Sequence, residues 1–354
     1  GYSPWPDYDR PNPEECAEVH RLLTEAHGES VRPDVLIVDN DVPGCGEVPC
    51  VLDALLRTVI ALNTTTKNSG VAFKGLIDRF GIIEAEEDSS SNTKRRIYSE
   101  GAVGSVDWDG VRRASLKDVA ESIQGAGLQV LKAKTMKGIL DAALSKAAVG
   151  VDDDSDLSDI EEEDDDGELS LEHLRALDDK DVMKALTSYF GIGPKAAACV
   201  MLFALGRNLF PVDTHVYRLS KFLGWVPEDV KNENDAFYHL DLKIPNKYKY
   251  GLHNLLIRHG RSCKHCKAGP SSPLKEGDVT KQPAQPRLDE NGQVIMKQRL
   301  VPRWEGNGLM KEVMVPMMVP DGVELDDSCI IEHLAKRQRV TKVEVKMESE
   351  DKVE

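Results

Sequence analysis

The stretch 181–203 constrains the fold most, because it predicts two helices joined by a very short turn, Gly191-Ile192-Gly193-Pro194. Two glycines around one apolar residue permit positive φ angles and close backbone approach. Proline suits the first position of the second helix. Such a turn directs backbone N–H groups outward at a helix N-terminus, where they can bind a phosphate. An ordinary tight connection between helices is the alternative, since short glycine patterns are common.

Apolar residues recur at helical spacing along much of the remaining chain. This spacing predicts helices at 14–27, 51–62, 71–80, 116–124 and 132–144. No segment shows a convincing strand alternation, so the expected fold class is all-α. No apolar stretch reaches the roughly 18 residues of a transmembrane helix, and no membrane partner is expected.

The formal net charge of −16 argues against a nucleic-acid partner, but the charge is unevenly distributed. The run 152–166 contains eleven acidic residues and no basic one, and without it the net charge is −5. Residues 183–270 carry a net charge of +7. The acidic run is expected to be a disordered, solvated insertion. Self-inhibition by DNA mimicry and phosphorylation at Ser155 and Ser158 are the functional alternatives.

Two residues near the turn suggest chemistry. Lys195 follows Pro194 at the positive end of a helix, where that field and partial desolvation favour a neutral, nucleophilic amine. Asp213 precedes a predicted helix at 214–223, where backbone N–H groups can hold its carboxylate ionised. A solvated lysine and a simple helix cap are the plainer interpretations. An amine and a carboxylate beside a phosphate-binding turn favour chemistry on a sugar in DNA.

The pattern Gly191-Ile192-Gly193-Pro194-Lys195, followed after the Lys by eighteen residues to Asp213 in Val-Asp-Thr-His, resembles the helix-hairpin-helix (HhH-GPD) DNA glycosylase superfamily. Its endonuclease III branch is the most similar. Further matches lie at 56–65, 127–133 and 256–261, so the resemblance covers about residues 14–268. Tyr189-Phe190 replace the Leu-Pro that is usual before the turn, and both are expected to pack beneath it.

The resemblance implies an all-α fold of two domains. A terminal helical domain would comprise 13–49 and 208–268, and a helical barrel carrying the hairpin would comprise 50–207. Disordered segments are expected at 1–12, about 84–107, about 147–169 and 269–354. Within the last of these, the apolar patch 314–320 is interpreted as a loose strand, with a partner-binding segment as the alternative.

The implied activity is that of a DNA glycosylase with AP lyase activity in base-excision repair. Lys195 would attack C1′ of the deoxyribose, and Asp213 would stabilise the positive charge on the sugar. The implied partner is duplex DNA with a damaged base or an abasic site, bound by a monomer, and an oxidised pyrimidine is the expected base. Oxidised guanine, a modified cytosine, and a catalytically silent DNA-binding module are the alternatives.

The resemblance also suggests DNA contacts. Asn63 and Thr65 are the polar candidates for the lesion-side loop, and Gly191 and Gly193 would hold a phosphate. Candidates for further DNA contacts are His215, Lys221, Lys249, Arg258 and Arg261, each of which has an ordinary surface or structural role as its alternative.

Many endonuclease III relatives end in a four-cysteine iron–sulfur loop, whereas here only Cys263 and Cys266 follow the closing helix. Cys329 lies far along the sequence, so neither an iron–sulfur cluster nor another metal is expected. A zinc site built from His259, Cys263, His265 and Cys266 is the less favoured alternative, because it has only two thiols. The seven scattered cysteines suit a reducing compartment. A basic run at 336–339 favours the nucleus, with the mitochondrion as the alternative.

Overall fold

The computed structural model describes most of the chain from residue 3 to residue 334. The described residues are 3–40, 46–84, 98–148, 168–263, 265–267, 289, 293, 296–305, 311–320, 329–331 and 333–334. The acidic run 152–166 and the basic run 336–339 lie outside them. Within this set, no helix combines the length and the apolar character that crossing a membrane requires.

Helices dominate the described residues, as predicted. The α-helices are α1 (Pro13–His27), α2 (Val51–Ala61), α3 (Thr66–Phe80), α4 (Trp108–Arg113), α5 (Leu116–Ser122), α6 (Gln129–Ala148), α7 (Asp179–Thr187), α8 (Pro194–Phe203), α9 (Thr214–Leu223), α10 (Glu233–Lys243) and α11 (Asn246–Ser262). Short 3₁₀ turns cover Glu100–Ala102, Gln124–Ala126 and Glu172–Ala176.

The prediction of a disordered tail over 269–354 is wrong for one part of it. Strands β1 (Met296–Glu305) and β2 (Lys311–Pro320) pair antiparallel, with Met296 opposite Pro320 and Glu305 opposite Lys311. Each strand contains an internal proline, Pro302 or Pro316. The patch 314–320, interpreted as a loose strand, lies within β2, whereas no strand was predicted at β1, because a proline cannot donate to a strand ladder.

The chain divides into two compact units, residues 1–32 with 212–354 and residues 33–211. In the first unit, α11 contacts α1 and α9. In the second, α2 contacts α3, α6 and α8, and every residue from Val51 to Ile60 is buried. Residues 33–49 lie in the second unit and not in the terminal domain to which the resemblance assigns them.

A buried ion pair explains this assignment. The carboxylate of Asp53 accepts hydrogen bonds from Arg57 Nε (2.9 Å), Ser105 Oγ (2.8 Å) and Trp108 Nε1 (3.1 Å). Arg57 also donates to the carbonyl of Asp39 (2.8 Å) and to Oδ1 of Asn40 (2.9 Å). Both charged side chains are almost fully buried. The pair therefore holds the segment before α2 and the segment before α4 against one helix.

The same contacts correct the prediction that 84–107 is disordered. Within this segment, the described stretch 98–107 packs into the second unit, where Ser105 and Val106 are fully buried. Asn40 Nδ2 donates to the carbonyl of Gly104 at 2.8 Å. The ordered loop supplies hydrogen bonds to polar side chains of α2 that are buried in the core. The sequence of the loop by itself does not show that these distant partners exist.

Replacing Arg57 by Met is expected to lower the free energy of unfolding by about 3–5 kcal/mol, because Asp53 would be left as an uncompensated buried charge. Urea unfolding followed by circular dichroism measures this loss. Arg79→Met is the matched control, since Arg79 pairs with Asp118 and both side chains are about 40% exposed. That control is expected to cost about 0–1 kcal/mol. Equal losses in the two variants would contradict the assigned role of the buried pair.

Candidate active site

The turn between α7 and α8 has the tight backbone that its sequence predicts. Gly191 has φ +82°, and the Ile192 N–H donates to the carbonyl of Tyr189 at 3.1 Å. Ile192 and Tyr189 are buried, at 5% and 8% exposed. Phe190 is 69% exposed, so the prediction that both aromatic residues pack beneath the turn holds only for Tyr189.

The two glycines of the turn have different tasks. A Cβ on Gly191 would stand 2.7 Å from Oγ1 of Thr135, so both the positive φ and the close approach of α6 require glycine. Gly193 has φ −94° and precedes α8, and no described atom lies within 4 Å of the Cβ that it lacks. Among the described residues, no side chain caps α8. The exposed backbone of Gly191 and Gly193 thus borders an uncapped helix N-terminus, which favours an anion.

Lys195 is the second residue of α8, directly after Pro194, and its side chain is half-buried. This position places the amine in the first turn of the helix, beside the glycine turn. From Ala196 to Phe203 the helix is entirely buried, which fixes the backbone that carries Lys195.

Asp213 is the N-terminal cap of α9. Its Oδ1 accepts a hydrogen bond from the Val216 N–H at 2.8 Å, and its side chain is half-buried. The plainer interpretation of a helix cap is thus correct as far as it goes. The cap bond also orients the carboxylate, which keeps its second oxygen outside that bond, so capping is compatible with a chemical role.

His215 and Arg218 lie where α9 packs on α11. A Cβ on Gly260 of α11 would stand 2.9 Å from His215 Nδ1 and 3.2 Å from Arg218 Nη2. Arg218 donates to the carbonyls of Gly260 and Cys266. Burial is the main cause that lowers the pKa of His215. The histidine of the Val-Asp-Thr-His pattern therefore packs at a helix junction in this chain.

Two of the basic residues predicted to contact DNA are buried, so those predictions are wrong. Arg258 is fully buried in α11, where Nη1 donates to the carbonyl of Glu29 at 3.4 Å. Lys249 is 4% exposed, and its Nζ donates to Asp241 at 2.8 Å. Both side chains anchor α11 inside the first unit. Lys221 is exposed and Arg261 is half-buried, so these two stay candidates.

Two neighbouring loops of the second unit carry features that the sequence does not reveal. Asn63 and Leu128 both have positive φ, at 50° and 51°, and both are exposed, Leu128 to 55%. Nζ of buried Lys132 donates to the carbonyls of Ile60 (2.8 Å) and Ala126 (3.0 Å), close before each loop. Burial lowers the pKa of Lys132 to about 8. One side chain therefore ties the two loops together, whereas Thr65 caps α3 through the Asn68 N–H.

Comparison with known proteins identifies the family of the chain. The chain is 31% identical over 292 residues to "Putative DNA glycosylase At3g47830" of Arabidopsis thaliana, covering 77% of this chain and 84% of that protein. The chain belongs to the endonuclease III-like DNA glycosylases.

Two further sequence relatives have names that fit this family, and one solved structure is also similar. Endonuclease III of Sulfolobus acidocaldarius is 26% identical over 63% of the chain and 78% of its own length. "DNA glycosylase/AP lyase ROS1" of Arabidopsis thaliana is 29% identical over 49% of the chain, which spans only 13% of ROS1. A solved endonuclease III–DNA covalent intermediate aligns over 74% of this chain and 89% of that chain, with 21% identity and a TM-score of 0.45. No protein-family model matches the chain.

In this glycosylase, Cys329 is far from the other cysteines in the sequence but close to two of them in space. Cys329, judged too distant along the sequence, lies with Cys263, Cys266 and His259, and the four ligand atoms are within 4.8 Å of one another. A four-thiolate iron–sulfur cluster does not fit, because the described group has three thiols and one imidazole. His265, the second histidine of the predicted zinc alternative, is not part of the group.

The two glycines provide a test of the hairpin geometry. Gly191→Ala is expected to lower the free energy of unfolding by about 1–3 kcal/mol, since alanine must adopt a left-handed φ and displace Thr135. Gly193→Ala is the control and is expected to lose distinctly less, because its φ suits alanine and its Cβ would meet no described atom. Thermal and urea unfolding of both variants measure the difference. The same loss in both would mean that the glycine at 191 has no special backbone role.

Proposed function

We propose that this DNA glycosylase removes a damaged base from duplex DNA and then nicks the strand as an AP lyase. The proposed substrate is an oxidised pyrimidine, bound by a monomer during base-excision repair. The observation that supports the proposal is that each residue of the pattern lies at a helix N-terminus, Lys195 in the first turn of α8 and Asp213 at the cap of α9. The proposed nuclear location rests on the basic run 336–339 alone.

The proposed reaction begins when the target nucleotide leaves the base stack, which exposes its glycosidic bond. The neutral amine of Lys195 forms a bond to C1′, and the C1′–N bond breaks with its electron pair going to the base. The departing base takes up a proton. That proton comes from the attacking nitrogen. As the sugar ring opens, the nitrogen passes its second proton to the ring oxygen, and the bond from C1′ to that oxygen is replaced by the C1′=N bond of a Schiff base. β-Elimination then removes a proton from C2′ and expels the 3′ phosphate.

Asp213 would act on the sugar while the glycosidic bond breaks. Positive charge then develops at C1′ and the ring oxygen, and a fixed carboxylate stabilises that charge more than it stabilises the neutral ground state. The bond from the Val216 N–H holds the carboxylate in place before the reaction, so little reorganisation is needed. A capping residue therefore suits this chemical role.

The proposed DNA contacts use backbone and exposed side chains. The N–H groups around Gly191 and Gly193 would hold a phosphate, which sets register without reading sequence. Lys221 and Arg261 would add phosphate contacts. Asn63 and Leu128 would act at the lesion, because a left-handed φ on a residue other than glycine costs free energy and recurs at functional loops. An exposed apolar side chain such as Leu128 can enter a base step as a wedge.

Borohydride trapping tests the assignment of Lys195. Wild-type protein, incubated with abasic duplex DNA and borohydride, is expected to form a covalent adduct that Lys195→Gln does not form, although that variant still binds DNA. Lys184→Gln is the matched control, since Lys184 is an exposed lysine on the other helix of the hairpin. An adduct that persists in Lys195→Gln would reject this nucleophile.

Asp213→Asn separates chemistry from folding at the second residue. Asparagine caps helices as well as aspartate does, so the free energy of unfolding is expected to change little. Single-turnover base excision is expected to fall about 10²–10³-fold, as on removal of one preorganised electrostatic group. Excision at the wild-type rate would leave Asp213 as a cap only.

The same excision assay defines the base. Duplexes carrying an oxidised pyrimidine, an oxidised guanine or a modified cytosine are compared at equal enzyme concentration, and the oxidised pyrimidine is expected to be excised fastest. Faster release of either other base would replace the proposed substrate. DNA binding without excision of any of the three would favour a silent DNA-binding module.

Leu128→Ala tests the proposed wedge. Excision from duplex DNA is expected to slow about tenfold or more, because extrusion of the base loses its support, whereas Schiff-base trapping on a single-stranded abasic oligonucleotide is expected to stay the same. Leu242→Ala on α10, also about half exposed, is the control for loss of a surface leucine. Equal slowing on both DNA forms would argue against a wedge.

A further inference from the structure

Four potential metal ligands converge at the end of α11. His259 lies in the last turn of this helix, Cys263 follows it by one turn, and Cys266 comes three residues later. Cys329 joins them from far along the chain. His259 Nε2 is 3.2 Å from Cys329 Sγ, and Cys266 Sγ is 3.4 Å from the same sulfur. Cys263 is half-buried and the other three residues are buried.

We propose that His259, Cys263, Cys266 and Cys329 bind one structural Zn²⁺ ion. Three thiolates and one imidazole are a common ligand set for structural zinc, and zinc in such sites is four-coordinate and tetrahedral. With zinc–ligand bonds of about 2.0–2.3 Å, neighbouring ligand atoms stand about 3.3–3.8 Å apart. The distances at Cys329 lie close to this range. Four protein ligands leave no open coordination position for a substrate. The ion therefore stabilises the fold and takes no part in the chemistry.

The spacing of the ligands argues for one ion and against a cluster. A four-iron cluster places several iron and sulfide atoms between its cysteine sulfurs, so those sulfurs cannot lie in near contact. Here the ligand atoms are too close together for such a group. The ligand set argues in the same direction, because one of the four cysteine positions is taken by an imidazole. The pattern His-x₃-Cys-x₂-Cys supplies three ligands from one short segment, as in many zinc sites.

His27 of α1 does not bind the ion itself but hydrogen-bonds to one of its ligands, His259. Its Nε2 is 2.9 Å from Nδ1 of His259, and both rings are buried. If Nε2 of His259 binds zinc, Nδ1 must carry the proton and donate it to His27. A ligating histidine commonly has such a partner, which fixes its tautomer and its ring orientation. This bond is a second observation for a ligand at Nε2, independent of the three thiols.

The site also connects to the helix that carries Asp213. Arg218 of α9 donates to the carbonyl of Cys266 and to that of Gly260. Zinc would therefore fix the Cys266 turn against α9 within the first unit. The role of the ion is therefore structural. Loss of the ion is expected to loosen the turn at Cys266 before it affects α11.

Metal analysis of the whole 354-residue chain tests the site without any use of enzyme activity. Protein purified under reducing conditions is expected to contain about one zinc per chain and iron far below one per chain, by inductively coupled plasma mass spectrometry. Cobalt(II) in place of zinc is expected to show the intense visible bands of a tetrahedral thiolate site. Cys329→Ser is expected to lose most of the bound metal, whereas Cys16→Ala, a change at another buried cysteine of the same unit, is expected to retain it.

The role of His27 has its own readout. His27→Phe is expected to weaken zinc affinity about 10–100-fold in a competition titration with a chelator. His27→Gln is expected to recover part of this loss, because its amide oxygen can accept the same hydrogen bond. A general packing defect would weaken both variants alike and would remove His27 from the proposal.

Several results would overturn the zinc site. A stoichiometric iron–sulfur chromophore would replace zinc by a cluster. Metal at background level, with no cobalt bands after reconstitution, would mean that the four residues hold no ion. Another contrary result is a disulfide between Cys266 and Cys329, found by mass spectrometry in protein purified under reducing conditions. Such a bond would explain the proximity of the two sulfurs without a metal ion. Unchanged zinc in Cys329→Ser would place the ion elsewhere.

Discussion

The close packing of α9 on α11 at Gly260 positions both Asp213 and the turn at Cys266 in the first unit. Because Gly260 has no side chain, His215 and Arg218 reach the backbone of α11. This contact sets the direction of α9, and with it the position of Asp213 at the start of that helix. It also sets the turn at Cys266, whose carbonyl accepts from Arg218. A side chain at 260 would force His215 and Arg218 to move, and with them the bonds that hold this junction.

The second unit depends on buried polar groups that have partners inside it. Asp53 and Arg57 lie on one buried face of α2 and use their hydrogen bonds to hold segments on both sides. Lys132 does the same for the two exposed loops, through the carbonyls of Ile60 and Ala126. Charges without partners would be costly at this depth. Paired in this way, they specify loop positions that apolar packing alone would leave open.

Local sequence patterns predicted most of the helices and the tight glycine turn of the hairpin. Helical spacing found the core of α2, and the glycine turn before Pro194 placed Lys195 in the first turn of α8. These features depend on residues near one another in the chain. Burial does not. Arg258 and Lys249 lie in a helix with a polar sequence, and only the tertiary packing of α1 and α9 shows that they face inward.

The same reasoning explains the other errors. The loop 98–107 is ordered by Asp53 and Asn40, which lie about fifty residues or more before it. The position of Cys329 beside Cys266 is set by the return of the chain, which no local spacing encodes. Strand β1 was not predicted, because its internal proline cannot donate to a strand ladder. For the loop and for Cys329, the decisive partner is distant in sequence.

The convergence of Cys266 and Cys329 also bears on how such a chain can vary over evolution. Sixty-two residues separate these two cysteines, yet their sulfurs are 3.4 Å apart. A segment whose two ends meet at one point acts as an insertion into a closed framework. Doubling its length would add only about 0.6 kcal/mol of closure entropy. This is therefore a place where related chains can gain, lose or exchange whole segments while the helices around Asp213 keep their arrangement.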